Sequence, residues 1–366
     1  MTTDIPKVLL TGPTGYIGGT VLSTLLASPD LKIHRPIGCL LRSKAAAETL
    51  TATYGPEQVN PILYEGLDDT EAATAAAASH DIVICCTLGY HTPSLLALLH
   101  GLAQRKAVTN KDVWMIQTSG TSNVGDLPVS GKYVHSPPDR EFDDVHDDVY
   151  TFEKERDAVM PYPQRTGELA FIDAGIELGV KTVVMMSPII YGIGTGLSNK
   201  MSIAVPQLAQ MAMVTGKVVV IGDGKAVWDY VHVEDVAALY QKVLETIVGK
   251  GGEGLPTGKK GILFGGNGRH SWMELAEGVA QALLQAGKLG DAIVESVSLA
   301  DATRAVAQSR GTADEDTVEV VFASNARTVA SVGRKLGWVP KRGEESWRQG
   351  FHDDVKMVLQ KMDKST

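Results

Sequence analysis

The feature that most constrains this 366-residue chain is a set of spaced glycines placed where a strand gives way to a helix. Thr11-Gly12-Pro13-Thr14-Gly15-Tyr16-Ile17-Gly18 follows the apolar run 8–11 and opens a helical stretch over 17–27. Gly12 permits the tight turn after the strand, Gly15 lets backbone approach a pyrophosphate, and Gly18 allows helix to pack closely on strand. The helix beyond offers unpaired N–H groups and the positive end of its dipole to phosphates. Gly12, Thr14, Gly15, Tyr16 and Ile17 are therefore the candidate cofactor cradle. Such spacing is weak by itself. Set after a first strand and at the start of a first helix, it is specific.

The pattern behind this turn repeats through the first half of the chain. Strand-like runs at 37–41, 62–64, 82–86 and 113–116 alternate with helical stretches at 44–53, 71–78 and 95–108. Runs that are apolar without alternation fit parallel strands buried on both faces, and parallel strands need helical crossovers. The spacing predicts an α/β fold, a Rossmann doubly wound parallel sheet. Between 126 and 165 the pattern breaks, with Ser136-Pro137-Pro138 and the acidic tract 139–148. This reads as a long irregular insertion ahead of a helix at 168–178 and a strand at 182–186, and the acidic tract as a solvated loop. After Tyr191 the elements become mixed and short. The expected division is a nucleotide-binding domain over 1–190 and a smaller mixed α/β substrate domain over 191–366, with about 222–250 returning to the first.

The end of the second strand bears on cofactor choice. An acidic residue there would bind a ribose 2′-OH, whereas Arg accommodates a 2′-phosphate. Here the strand ends Leu41-Arg42-Ser43-Lys44, with no carboxylate before Glu48. Arg42 and Lys44, with the Ser43 hydroxyl, favour NADP(H) over NAD(H). The formal net charge of −9 and the lack of a Lys/Arg cluster argue against nucleic acid or an anionic membrane as partner. Cys39, Cys85 and Cys86 form neither a disulfide framework nor a metal-ligand pattern, and strand packing explains the adjacent pair. The start of the chain, residues 1–7, is short and polar, and no signal-peptide pattern or membrane-length apolar run appears. A soluble, cytoplasmic protein is expected.

Three later segments carry a resemblance. Ser187-Pro188-Ile189-Ile190-Tyr191-Gly192, Trp228-Asp229-Tyr230-Val231-His232-Val233-Glu234-Asp235-Val236-Ala237 and Lys335-Leu336-Gly337-Trp338-Val339-Pro340-Lys341 follow the glycine turn in order. Together with that turn they resemble the extended short-chain dehydrogenase/reductase family, which includes nucleotide-sugar epimerases and dehydratases. The second segment is similar to the family's Arg-Asp-Tyr-Val-His-Val-x-Asp-Val-Ala. The resemblance implies a site in the cleft between two domains, with Thr87, Leu88 and Ser119 lining the nucleotide and Pro188 and Ile190 near the nicotinamide. His232 reads as a hydrogen-bonded structural histidine. A homodimer is a further expectation carried by the family alone.

The family's acid/base set is a Tyr-x-x-x-Lys with a Ser or Thr after the fifth strand. Family spacing back from Ser187-Pro188 places the tyrosine at Tyr162 and the lysine at Thr166, so the lysine is replaced. An isolated tyrosine titrates near 10 and needs a nearby cation to act as a base at neutral pH. Arg165, three residues on, is the candidate cation. The hydroxyl position falls on Gly120, leaving Thr121 or Ser119 to substitute. Tyr162, Arg165 and Thr121 are thus the expected catalytic group. They point to an atypical NADPH-dependent reductase acting on a carbonyl or imine of a small organic substrate. A sugar-nucleotide epimerase or dehydratase is the second reading, and a non-catalytic NADP(H) sensor resembling the NmrA-like proteins is the third.

Overall fold

The computed structural model describes residues 5–363; the polar start before Ile5 lies outside the described residues. Seven parallel strands form the central sheet, in the spatial order Ile262–Phe264, Lys181–Ser187, Trp114–Gly120, Ile82–Cys85, Val8–Thr11, Ile37–Leu41, Val59–Leu63. The five inner strands are almost wholly buried, as their unbroken apolar runs require. Pro61 sits in the outermost strand, where a missing N–H need not interrupt a ladder. Strand order reverses beside Val8–Thr11, which lies between the second and fourth strands. Ligands of such sheets bind at that reversal, beyond the carboxyl ends of the strands. The expected doubly wound sheet is the observed one.

Helix Tyr16–Leu26 packs with Val233–Lys250, and Thr92–Thr109 packs with Thr70–Ala78 and Pro163–Leu178. The smaller half is built on a three-stranded sheet of Ile189–Tyr191, Val227–His232 and Gly268–Ser271. The last helix, Glu344–Asp363, stacks Trp347 on Tyr230 with ring centroids 4.5 Å apart. Two of the sequence motifs meet here. The Trp338 indole donates to the Asp235 carbonyl at 2.9 Å, and the Asp235 carboxylate accepts the backbone N–H of Lys341 and Arg342. His232 caps helix Val233–Lys250, its Nδ1 accepting from the Glu234 N–H.

Two expectations change. Ile262–Phe264 returns to the central sheet as its seventh strand, although it lies beyond 222–250. The segment 126–165 is irregular only in part. It contains the short strand Glu141–Asp143, paired with Arg327–Val329, and the helix Val149–Val159. The following helix starts at Pro163, five residues before the expected 168, with proline in its first turn. Nor is the acidic tract simply solvated. Asp144 is buried and accepts the N–H groups of Phe264 and Val332 at 2.9 and 2.8 Å. Asp143 holds the Ser331 hydroxyl, and Asp148 caps helix Val149–Val159. These partners lie far along the chain, so charge composition alone could not place them.

Candidate nucleotide and catalytic site

Gly12 adopts φ +69°, the left-handed conformation that glycine tolerates and other residues resist. A Cβ on Gly18 would lie 2.2 Å from the Gly12 carbonyl oxygen, so only glycine lets helix Tyr16–Leu26 start this close to the strand. Gly15 is the N-cap and supplies no side-chain cap. The first N–H groups of the helix, those of Tyr16 and Ile17, are thus left for an anion. Thr14 gives its carbonyl to the Asn199 N–H at 3.2 Å, which brings the loop after Tyr191 down onto the turn. Tyr16 points the other way from a ligand. Its hydroxyl donates to the Gly192 carbonyl at 2.6 Å, and burial raises its pKa well above 10.

The fourth strand delivers Thr87 to the same point. Its hydroxyl lies 3.4 Å from that of Thr11, and its methyl would be 3.4 Å from a Cβ on Gly12. Leu88, next along, is 47% exposed at the mouth. Arg42, Ser43 and Lys44 are all exposed at the end of the second strand. Ser43 uses its hydroxyl to cap helix Lys44–Tyr54, accepting from the Ala46 N–H at 3.2 Å. Arg42 and Lys44 are the cations available there. Pro188 is buried at the break between strands Lys181–Ser187 and Ile189–Tyr191, and Ile190 is half-buried. Burial pushes the Cys39 and Cys86 thiols up to about 12, which leaves them unreactive packing groups.

At the end of the fifth strand the expected trio is only partly assembled. Tyr162 is the N-cap of helix Pro163–Leu178 and donates its hydroxyl to Ser122 Oγ at 3.2 Å. Ser122, not Thr121, is the hydroxyl it meets. Thr121 is fully buried and its hydroxyl has no hydrogen-bond partner. The difference arises because Thr121–Val124 coils into a 3-10 turn, whose steps of about 120° per residue turn neighbouring side chains apart. Gln164 fills the space beside Gly120, donating to Gly120 O at 3.0 Å and to Ser122 Oγ and Asn123 Oδ1, each at 3.2 Å. Sequence reading missed Ser122 and Gln164; the hydroxyl run Thr121-Ser122 was the available signal.

Arg165 is buried and occupied. It donates to the Asn123 carbonyl at 2.8 Å, to the Met160 carbonyl at 2.7 Å and to Asp157 at 3.3 Å. Its guanidinium lies 5.8 Å from the centre of the Tyr162 ring. Thr166, at the position matched to the family's lysine, also donates to Asp157. Burial raises the Tyr162 pKa above 10, and the Ser122 hydrogen bond and Arg165 offset that only in part. Tyr162 therefore keeps its proton at neutral pH. Ser119 turns away from the mouth and donates to Glu168, a fully buried carboxyl raised to about 7 by desolvation.

A wholly parallel seven-stranded sheet with a glycine turn at its reversal point defines a Rossmann-type protein of extended short-chain dehydrogenase/reductase architecture. A model of the NAD dependent epimerase/dehydratase family matches residues 8–254, more than half of the chain, and the protein belongs to that family. The chain is 31% identical over 315 residues to the oxidase ucsJ of an Acremonium species, covering 81% of this chain and 84% of that protein. Solved structures share the fold. The PbgP3 protein of Burkholderia pseudomallei is 12% identical with a TM-score of 0.63, covering 98% of each chain. A dTDP-glucose 4,6-dehydratase of Streptomyces venezuelae, DesIV, with NAD and TYD bound, is 14% identical with a TM-score of 0.62, covering 97% of each. The UDP-glucose 4-epimerase of Thermus thermophilus, in complex with NAD, is 18% identical with a TM-score of 0.58, covering 96% of this chain and 99% of that one. Among the described residues no helix is long and apolar enough to cross a membrane, and no group of His, Cys, Asp and Glu could hold a metal ion.

Proposed function

We propose that the protein is a nicotinamide-dependent oxidoreductase that reduces a carbonyl or imine carbon of a small organic substrate, with Tyr162 as proton donor. One observation carries this reading. Tyr162 offers a protonated hydroxyl, fixed by Ser122, at the end of the fifth strand in a chain whose glycine turn is shaped for a dinucleotide. The turn fits the cofactor because Gly12 and Gly18 leave no room for side chains and the helix start is uncapped. Tyr16 and Ile17 N–H groups would hold the pyrophosphate, Thr87 and Leu88 would flank the nucleotide, and Pro188 and Ile190 would back the nicotinamide. A bound nicotinamide dinucleotide would supply the hydride. Arg42 and Lys44 beside a carboxylate-free strand end support NADP(H), whereas structures sharing the fold were solved with NAD.

The chain's own contribution is then orientation and one proton. Tyr162 releases that proton to the developing alkoxide or amide, while Ser122 and Gln164 hold the hydroxyl in place. Charge on the resulting phenolate is eased by the Ser122 hydroxyl, which then donates where it had accepted, and by Arg165. The reverse, oxidative reaction is a second reading, favoured by the oxidase to which the chain is 31% identical. It would need Tyr162 as a base, which its raised pKa opposes.

Fluorescence titration of the purified protein with NADPH and NADH, followed by NADPH turnover with a panel of small aldehydes, ketones and imines, tests the proposal. Tighter NADPH binding with turnover lost in Tyr162→Phe is the expected result. Binding without any turnover would replace the enzyme by a nucleotide sensor. Turnover of a sugar nucleotide with no net oxidation or reduction of the nicotinamide would replace the reductase by an epimerase or dehydratase.

A further inference from the structure

Behind Tyr162 and Ser122 lie two carboxyls that neither the glycine turn nor the sequence motifs account for. Glu153, from helix Val149–Val159, and Glu168, from helix Pro163–Leu178, are both fully buried and interact across the contact of the two helices. Glu168 Oε2 accepts from Ser119 Oγ and from Asn123 Nδ2, the latter at 2.7 Å. Both Glu153 oxygens and Glu168 Oε1 have no other donor. Ionised carboxylates only accept, so two of them face to face in a dry site would be left uncompensated. One proton held between them removes that cost, as in other carboxyl dyads. The charged groups facing the pair are Arg165, from Glu168's own helix, and Asp157, from Glu153's helix, and these two are already bonded to each other. The strand end contributes the neutral donors Ser119 and Asn123.

The pair is linked to the candidate acid through side chains alone. Glu168 holds the Asn123 amide, Asn123 Oδ1 accepts from Gln164, Gln164 also donates to Ser122, and Ser122 accepts from Tyr162. We infer that Glu153 and Glu168 are positioning residues that, with one shared proton, set the Thr121–Val124 turn so that Ser122 meets the Tyr162 hydroxyl. This rests on the reading of Tyr162 given above. It also assigns a task to the 126–165 insertion, which brings Glu153 to the site. Desolvation raises both carboxyls, Glu168 to about 7 and Glu153 well above the usual carboxylate range, so as pH rises through neutrality the pair passes from two protons to the one it shares. Glu168 then accepts from Ser119 and Asn123 as a carboxylate, and the hold on the Asn123–Gln164 link tightens.

The test uses the whole protein with tyrosine labelled with 13C at Cζ, the Tyr162 resonance being assigned by its loss in Tyr162→Phe. Infrared spectra of the same samples follow the C=O band of a protonated carboxyl between about pH 5 and 9. In the wild type the Tyr162 resonance should shift with the same midpoint as the loss of that band. In Glu168→Gln the carboxyl that titrates near neutrality is gone, and the Tyr162 resonance should stay flat over that range. If Glu168→Gln does not fold, Glu153→Gln keeps the Glu168 carboxyl but changes its partner, and the Tyr162 resonance and the carboxyl band should move together to a new midpoint. A Tyr162 resonance that ignores the band's titration would overturn the positioning role, and so would the absence of a carboxyl titrating near neutrality. None of these readings needs turnover. Unchanged turnover in Tyr162→Phe would therefore remove the catalytic role of Tyr162 without being mistaken for failure of the link.

Discussion

The glycine turn and the end of the fifth strand both lie at the carboxyl ends of strands in the same sheet, yet they are built by opposite means. The turn is made by backbone: a positive φ at Gly12, an absent Cβ at Gly18 and an uncapped helix start are all local requirements within eight residues. The strand end is made by side chains from separate segments. Tyr162 and Gln164 come from one helix, Ser122 from a 3-10 turn, and Glu153 from a helix inside the insertion. A local backbone device tolerates little change in residue type. A side-chain network can be rebuilt with different residues, and here Thr166 stands at the position of the family's lysine and Ser122 supplies the hydroxyl that Tyr162 meets.

If the two regions act separately, Tyr162→Phe should cut turnover by about 100- to 10,000-fold while NADPH affinity stays unchanged. A parallel loss of affinity would show that they are not separable. Gly18→Val attacks the other side of the comparison. Its Cβ would meet the Gly12 carbonyl at 2.2 Å, so nucleotide binding should vanish and stability fall by about 1–3 kcal/mol, read by titration and thermal melting. Within the network, Ser122→Ala should lower turnover about ten-fold and Thr121→Val leave it nearly unchanged, since only Ser122 touches Tyr162. Equal effects would restore the hydroxyl assignment drawn from the sequence. At the nucleotide end, Arg42→Ala should weaken NADPH about ten-fold and spare NADH, because a charge-assisted bond to phosphate is worth roughly 1–2 kcal/mol.

The smallest effect is on stability. Asp354 is buried beside Ser202, and burial raises its carboxyl to about 7. A folded-state pKa above the unfolded value contributes stability that is present at acid pH and lost as pH rises from about 4 through 7. Asp354→Asn, which cannot ionise, should flatten that decline and raise the melting temperature above neutral pH by a few degrees. An unchanged pH slope would show that Asp354 does not titrate in the folded protein.

How far the sequence could be read follows the same division. Four of the first five strands are legible because each carries a continuous apolar run buried on both faces, whereas Val59–Leu63, a partly exposed edge strand, shows only its 62–64 end. The motif Leu336-Gly337-Trp338 could be recognised, but its bond to Asp235 joins positions 103 residues apart. The insertion was misread because its helix Val149–Val159 is polar and charged, and the residues that bury Asp144 belong to remote strands and turns. Arg165 was the natural cation for Tyr162 by helical spacing. Packing instead turned its guanidinium toward Asp157 and two backbone carbonyls.

By itself, then, the sequence determined the parallel sheet, the glycine turn and the lack of a carboxylate at the second strand's end, because each depends on residues adjacent in the chain. Only the tertiary structure decided which hydroxyl meets Tyr162, which groups engage the Arg165 charge and that Glu153 faces Glu168. Those outcomes depend on which distant side chains share one small buried volume, and no local pattern encodes that.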